Sequence, residues 1–306
     1  MRKKKTDQNQ MSFFDIEGFQ PPEVVITSKV PDSFVQTQDK VSNVLTTEVM
    51  DESEHILELE RKKGRKKNSY ITKITITYEG VDIQNRYGFS AFDQEVHDSV
   101  VSLYLAGNEY ITPAMVYRAM TGKTESEYVH DDRISEIERS IDKCRFSQLK
   151  IDAGEEAKAF GYDQATYSGN MLNADKVEIK MGGHRVTGYK LLAEPLLYRY
   201  TKASTQISVV DIKLLATPIV KTVDIIVLQG FLLRKIEAMK NISSERILYF
   251  SDIYEHLEAQ NATRQKKEKI RKFCKEILEF WIQKNYIRQY CFNNKGRAIY
   301  SITIFL

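Results

Sequence analysis

Residues 263–284 read TRQKKEKIRKFCKEILEFWIQK. Apolar residues recur there at intervals of three and four, so one face of a helix would be apolar while the opposite face would carry most of the cations. Thr263 stands directly before this pattern, where a threonine hydroxyl can accept a backbone hydrogen bond and cap the helix. The stretch therefore predicts a long amphipathic helix with a buried apolar side and an exposed basic side.

The segments around this helix predict a complete small domain. Residues 227–239 and 251–259 have helical spacing, with Ser251 and Asp252 expected as the cap of the second helix, and residues 246–250 are a short strand. After the long helix, the turn Asn293-Asn294-Lys295-Gly296 separates two apolar segments and predicts a β-hairpin. Helix, strand, helix, helix and hairpin is the order of a winged-helix domain, which we predict for residues 223–306.

The same order of elements occurs earlier in the chain. The predicted elements are a helix at 92–107, a strand at 110–111, helices at 112–120 and 131–146, a strand at 148–153 and a hairpin at 177–181 and 186–192. We therefore predict a first winged-helix-like domain over residues 70–222, with an insertion at 155–175 and a further strand at 207–215.

Residues 1–69 show no sustained period and are expected to form a mostly flexible, polar tail. The tail ends in RKKGRKK at residues 61–67, six cations in seven residues, which cannot be buried. This block is either a solvated linker or a phosphate-binding arm. The predicted fold class is α+β, with two tandem winged-helix domains preceded by this tail.

Composition excludes several classes of function. Cys144, Cys274 and Cys291 are too few and too distant for a disulfide framework or a metal knuckle, and the five histidines are scattered. Gly122-Lys123-Thr124 imitates the end of a phosphate loop, but Tyr117 stands where the first glycine is required. We expect no enzyme, no metal and no cofactor.

The ends and the hydropathy of the chain predict its compartment. No run of 18 apolar residues occurs, and the start, MRKKKTDQ, lacks the apolar stretch of a secretory signal. We expect a cytoplasmic protein without a membrane partner.

The net charge of +3 conceals a strong local imbalance. Residues 260–306 contain eleven lysines and arginines against three glutamates. A basic helix of this kind fits the major groove of double-stranded DNA, about 12 Å wide, and the hairpin tip would reach the backbone beside it. The predicted DNA contacts are Arg264, Gln265, Lys267, Lys269, Arg271, Lys272 and Lys275 on the helix, Asn294, Lys295 and Arg297 on the hairpin, and Lys180 and Arg185 on the earlier hairpin.

The alternative for the long helix is that its lysines only keep it soluble. In the first domain, the outward face of the third helix mixes Asp132, Glu136, Arg139 and Lys143, which gives no net positive field. A protein contact or a dimer surface is as well supported there as a DNA contact.

Residues 89–98, FSAFDQEVHD, and 110–117, YITPAMVY, together with the repeated element order, resemble replication initiator proteins of plasmids and mobile elements in Gram-positive bacteria. The resemblance covers residues 70–306. It implies binding to repeated origin sequences, opening of adjacent DNA, recruitment of a host initiator and helicase, and homodimers that repress their own gene. It also implies that both domains contact DNA. The mixed charge of residues 132–143 in the first domain departs from this expectation.

Two other functions use the same sequence features. A transcriptional or partition regulator needs identical groove contacts, so sequence physics does not separate it from an initiator. A DNA-nicking enzyme is disfavoured because no pair of histidines is separated by one residue.

Overall fold

The computed structural model describes residues 28–46, 54–63, 66–78, 88–123, 128–159, 165–181, 184–240, 246–296 and 298–306. Side chains are described for these residues except 39, 54–57, 59–63, 66–69, 78, 159, 179–181, 184 and 185. The fold is mixed α+β, as the sequence predicts.

The elements follow one another along the chain in three parts. The N-terminal part comprises β1 (Ser33–Thr37), α1 (Asp39–Leu45), β2 (Glu54–Lys63) and β3 (Lys66–Tyr78). The middle part comprises α2 (Ala91–Leu105), β4 (Tyr110–Ile111), α3 (Pro113–Thr121), α4 (Asp131–Phe146), β5 (Ser147–Asp152), α5 (Gly154–Ala159), β6 (Thr166–Asn170), β7 (Ala174–Met181), β8 (His184–Leu191), α6 (Leu196–Ala203), β9 (Ile207–Asp211) and a 3-10 turn (Ile212–Leu215). The C-terminal part comprises α7 (Val223–Lys240), β10 (Ile247–Tyr249), α8 (Phe250–His256), α9 (Arg264–Gln283), β11 (Gln289–Lys295) and β12 (Ala298–Phe305).

Two units of the chain share one topology. The first unit, residues 88–192, has α2, β4, α3 and α4 followed by the β7–β8 hairpin, and its sheet order is β4-β8-β7. The second unit, residues 223–306, has α7, β10, α8 and α9 followed by the β11–β12 hairpin, and its sheet order is β10-β12-β11. In both, the short strand after the first helix pairs antiparallel with the last strand of the hairpin. The element order predicted for both units is therefore present.

Another sheet combines strands of the N-terminal and middle parts in the order β2-β3-β5-β6, and all of its pairings are antiparallel. The predicted insertion at 155–175 contains β6, which is the edge strand of this sheet, and most of α5. The strand predicted at 207–215 is wrong beyond Asp211, because the Asp211 side chain accepts a hydrogen bond from the Lys213 amide and starts the 3-10 turn.

The prediction of a flexible tail is wrong for residues 33–45, 54–63 and 66–69, which contain β1, α1, β2 and the start of β3. β1 pairs antiparallel with β9, from Ser33 opposite Asp211 to Thr37 opposite Ile207. Phe34, Val41 and Leu45 are fully buried. The apolar residues of this segment are too few to give a period, and they are covered by residues far away in the chain. Residues 1–27 and 47–53 of the predicted tail, and Gly64 and Arg65 of the basic block, lie outside the described residues.

The predicted helix caps have different outcomes. The Thr263 hydroxyl accepts a hydrogen bond from the Lys266 amide at 3.3 Å, as predicted for α9. The predicted cap at Ser251 and Asp252 is wrong, because α8 already begins at Phe250. The cap position is instead Tyr249, two residues before Ser251, and the Phe250 ring that follows it is buried and stacks on Phe292.

A buried ion cluster joins the two units. The Arg234 guanidinium of α7 lies 2.6 Å from a Glu95 carboxylate oxygen and 3.8 Å from an Asp98 oxygen, both on α2. Asp98 also accepts hydrogen bonds from the amide and the hydroxyl of Thr37, at 3.1 and 2.9 Å, which docks β1 onto α2. One continuous hydrophobic core extends across the position predicted as a domain boundary, between residues 222 and 223. The boundary itself stays a prediction.

Gly230 allows α7 to approach α2 this closely. A Cβ atom at this position would overlap the Glu95 carboxylate. The Gly230 carbonyl also accepts a hydrogen bond from the Gln36 amide group at 3.2 Å. The position therefore has no space for a side chain while the ion cluster is intact.

His256 lies beside the same cluster and is held neutral. Its ring stacks on Phe231, with 4.5 Å between the ring centroids. Burial, together with the charges of Arg234 and Lys235, lowers the pKa of His256 to about 3. Protonation of this ring therefore opposes folding.

We expect Gly230→Ala to lower the free energy of unfolding by about 1–3 kcal/mol in urea titrations. In an open helix the same change would stabilise by up to about 1 kcal/mol. Here the new methyl group must displace the buried Glu95 carboxylate. In a Glu95→Ala background the loss should largely disappear, because the overlapping atoms are gone. An unchanged loss in that background would contradict this explanation.

We expect acid to destabilise the protein through His256. Its folded pKa is lowered, so its stabilising contribution is complete above the unfolded pKa of about 6.5 and is lost as pH falls towards 3. Between pH 6.5 and 4.5 the wild type should lose about 2 kcal/mol more than His256→Gln in denaturant titrations. Equal losses in both proteins would refute a neutral buried ring.

Candidate nucleic-acid interface

The apolar side of α9 fixes how this helix faces solvent. Ile270, Cys274, Ile277, Leu278 and Trp281 are buried. The Trp281 indole donates a hydrogen bond to the Leu214 carbonyl at 2.9 Å, which ties the C-terminal half of α9 to the 3-10 turn. The opposite side of the helix is therefore the side that a partner can reach.

We call this exposed side the α9 basic face, and it consists of Arg264, Gln265, Lys269, Lys272 and Lys275. Gln265, Lys269 and Lys272 follow at spacings of four and three, which place them in one row. Three of the cations lie near glutamates one turn later, at 2.8 Å for Arg264–Glu268 and 3.7 Å for both Lys272–Glu276 and Lys275–Glu279. Exposed pairs of this kind contribute only about 0–1 kcal/mol, so a phosphate can replace the glutamate at little cost.

The charge order along α9 is the reverse of the order that stabilises a helix. The partial positive charge at a helix N-terminus favours acids there, and the C-terminus favours cations. The first turn of α9 contains no acid and its last turn contains no cation. The cations therefore lie at the end of the helix that already attracts anions.

Two of the predicted contact residues, Lys267 and Arg271, pack onto α8. The Lys267 ammonium donates to the Gln260 carbonyl at 2.6 Å and lies 5.2 Å from the Tyr254 ring centroid. The Arg271 guanidinium lies 5.7 Å from the Phe250 ring centroid. Burial raises the pKa of Tyr254, while the positive charge of Arg271 opposes the rise. Both cations are half-buried and hold α8 against α9.

The second hairpin presents Asn294 and Lys295 as exposed residues at its tip. Gly296 follows with a φ of 64°, a left-handed conformation suited to glycine. Asn293, predicted as part of the turn, instead lies within β11, where its amide donates to the Ser301 and Thr303 hydroxyls at 3.0 and 2.8 Å. Arg297 lies outside the described residues.

An exposed pair of tyrosines near this hairpin was missed by the sequence reasoning. Tyr249 and Tyr300 are 44% and 41% exposed, and their ring centroids are 6.3 Å apart. The register of β11 and β12 shifts between Asn293 and Asn294, which leaves Tyr300 as an extra residue in a bulge. Simple alternation would place Tyr300 on the same face as the buried Ile302 and Ile304, so no pattern in β12 alone reveals it.

In the first unit, Lys180 and Arg185 occupy opposite positions near the end of the β7–β8 hairpin. Their side chains lie outside the described part of the structure. The hairpin register thus brings the two positions together, and their contacts stay a prediction.

The charges of α4 are largely satisfied within the first unit. Asp142 pairs with Arg145 at 2.8 Å and with Lys176 at 2.7 Å. The prediction that Lys143 faces outward as a free cation is wrong, because its ammonium donates to the Asp93 carboxylate of α2 at 2.6 Å. Arg139 is exposed and, with Glu136, lines a cleft of about 760 Å³ between α4 and the α7–α8 region.

Other candidate sites have structural explanations or were not found. Gly122 ends α3 with a φ of 66°, and a Cβ atom there would lie 2.6 Å from the Ile212 carbonyl oxygen. This glycine is needed for close packing against the 3-10 turn.

Among the described residues no group of three histidine, cysteine, aspartate or glutamate side chains could hold a metal ion. The helices within the described ranges are all too short or too polar to cross a membrane.

The adjacent cations Arg271 and Lys272 should differ in their effect on stability. Arg271→Ala removes a half-buried guanidinium that packs over the Phe250 ring, so we expect a loss of about 1–2 kcal/mol. Lys272→Ala, on the exposed face, should change the free energy of unfolding by less than about 0.5 kcal/mol. Chemical denaturation of both variants tests this, and equal effects would show that Arg271 is not a structural residue.

No protein-family model matches the sequence, and comparison with curated proteins finds no match. Among solved structures, the chain is similar to a crystal structure of RctB domains 2–3, with 13% identity, a TM-score of 0.44 and coverage of 87% of this chain and 96% of that chain. A crystal structure of selenomethionine derivatives of the same RctB domains is similar at 10% identity, with the same TM-score and coverage. At this identity and TM-score the likeness is too weak to assign a function to the chain.

Proposed function

We propose that this protein binds double-stranded DNA sequence-specifically, without catalysing a reaction, and that it is a replication initiator of a plasmid or mobile element. The observation that carries the proposal is the α9 basic face, where cations are concentrated at the helix end at which they do not stabilise the helix. A helix with its cations at the N-terminal end has an N-terminal half suited to binding a polyanion.

The shared topology of the two units supports a tandem winged-helix architecture. In winged-helix proteins the third helix enters the major groove and the hairpin contacts the backbone beside it. α9 is the third helix of the second unit, and the β11–β12 hairpin follows it directly. We therefore propose this unit as the principal DNA reader.

The exposed residues of this unit suit different parts of a DNA site. Gln265 offers the amide that pairs with adenine, while Lys269 and Lys272 offer ammonium groups for guanine or phosphate. Asn294 and Lys295 at the hairpin tip, with Arg297 beside them in sequence, would contact the backbone. Lys267 and Arg271 would act mainly by holding α8 and α9 together.

The resemblance of residues 89–98 and 110–117 to plasmid initiators supports the biological role. On this basis we propose that the DNA partner is a set of origin repeats, and that a host initiator, a helicase and a second copy of the chain are further partners. The α4 surface of the first unit, whose charges are mostly paired internally, would suit a protein contact better than a phosphate contact.

We expect Arg264→Ala and Lys272→Ala each to weaken binding to a specific duplex by about 1–3 kcal/mol, because both side chains lie on the α9 basic face. The duplex is first enriched from a random library with the wild-type protein, and binding is then measured by fluorescence anisotropy. Lys213→Ala, at an exposed lysine of the 3-10 turn, is the matched control. Unchanged affinities for both α9 variants would show that this helix is not part of the DNA interface.

The initiator role is tested by maintenance of a plasmid that carries the gene with its neighbouring DNA. Wild type should support maintenance, and Lys272→Ala should reduce it in proportion to the loss of DNA affinity. A protein that binds the neighbouring DNA specifically but never supports maintenance would be a transcriptional or partition regulator instead.

A further inference from the structure

The β2–β3 hairpin ends in a two-stranded ribbon. β5 pairs with β3 only from Lys73 to Tyr78, and the Ile71 amide donates to Glu155 of α5 at 3.0 Å. Beyond this point the pairing of β3 continues with β2, through residues 66–70 opposite 59–63. Five residues of strand extend about 17 Å. The ribbon is thus long enough to reach a partner beyond the four-stranded sheet.

Cations occupy opposite positions at the end of this ribbon. Lys62 is opposite Lys67, and Lys63 is opposite Lys66, with Arg61 one position further back. Like charges directly opposite one another destabilise an antiparallel pair. Selection for hairpin stability alone would therefore not place lysines at both positions of two successive pairs.

The acidic residues of β2 are placed elsewhere. Glu54, Glu58 and Glu60 pair with Thr75, Ile71 and Ser69, nearer the base of the ribbon. The final three register pairs contain no acid. Because successive positions of a strand belong to opposite faces, the end of the ribbon has lysine positions on both faces.

We propose that the ribbon tip, residues 61–63 and 66–67, is a second DNA-contacting arm that binds phosphates of the duplex without reading sequence. The inference rests on the proposed function. A two-stranded antiparallel ribbon fits the major groove, where phosphates flank it on both sides. Cationic positions on both faces suit that environment, whereas an acidic protein surface would meet only one face.

The test compares two sets of four substitutions that remove the same charge. The ribbon variant carries Lys62→Gln, Lys63→Gln, Lys66→Gln and Lys67→Gln. The control carries glutamine at four exposed lysines of other elements, Lys40, Lys150, Lys158 and Lys213. Affinity for the enriched duplex and for a random duplex is measured between about 50 and 200 mM salt.

The ribbon variant should lower the slope of log affinity against log salt by about 2–4, since each lost phosphate contact removes about 0.9. It should weaken both duplexes by the same factor, so that the ratio of specific to random affinity is unchanged. The control should change the slope by less than about 1. Thermal unfolding should show a ribbon variant at least as stable as the wild type, because the like-charge pairs are gone.

The possible failures are distinguishable. A wild-type protein that binds neither duplex would overturn the proposed function. Wild-type binding with an unchanged slope in the ribbon variant would overturn the arm alone. Equal slopes in the ribbon and control variants would also overturn it, because net charge would then explain the loss and the tip would only aid solubility.

Discussion

The ion cluster of Arg234 with Glu95 and Asp98 sets the arrangement of the whole chain. A buried charge without a partner costs several kcal/mol, and here the cation and the anions belong to different units. Packing α7 against α2 in another orientation would leave buried charges without a partner. Burial raises the pKa of Glu95 to about 7, although the positive charge of Arg234 opposes the rise.

The position of α9 follows from that constraint. The connection between the units is held by polar contacts as well, because the buried Lys221 ammonium donates to the Leu215 carbonyl and to Gln229 of α7, at 2.7 and 2.8 Å. Gln229 and Trp281 both donate to the Leu214 carbonyl. The 3-10 turn, α7 and α9 are therefore fixed together, so the α9 basic face has a defined direction relative to the first unit.

The sequence predicts what local patterns determine. The helical spacing of apolar residues along α9 and the Thr263 cap both depend on residues that are neighbours in the chain, and both predictions are confirmed. β1 was missed because Phe34 is buried by residues that are distant in the chain, and the register shift that exposes Tyr300 depends on the partner strand. Charge alone also does not distinguish the role of Arg271 from that of Lys272. Arg271 is a packing residue only because α8 lies beside it. Non-local contacts are thus what the sequence pattern could not supply.

The third helices of the two units differ in one physical respect that separates their roles. α4 follows the rule for helix stability, with Asp131 and Asp132 in its first turn and Lys143 and Arg145 in its last. α9 reverses that rule, and the β2–β3 ribbon breaks the corresponding rule for strands with its opposed lysines. Departures from local stability are expected where a surface serves function. Both departures suit an anionic partner, whereas the charges of α4 are largely balanced within its own unit. This contrast is the reason for proposing α9 and the ribbon, rather than α4, as the DNA-binding surfaces.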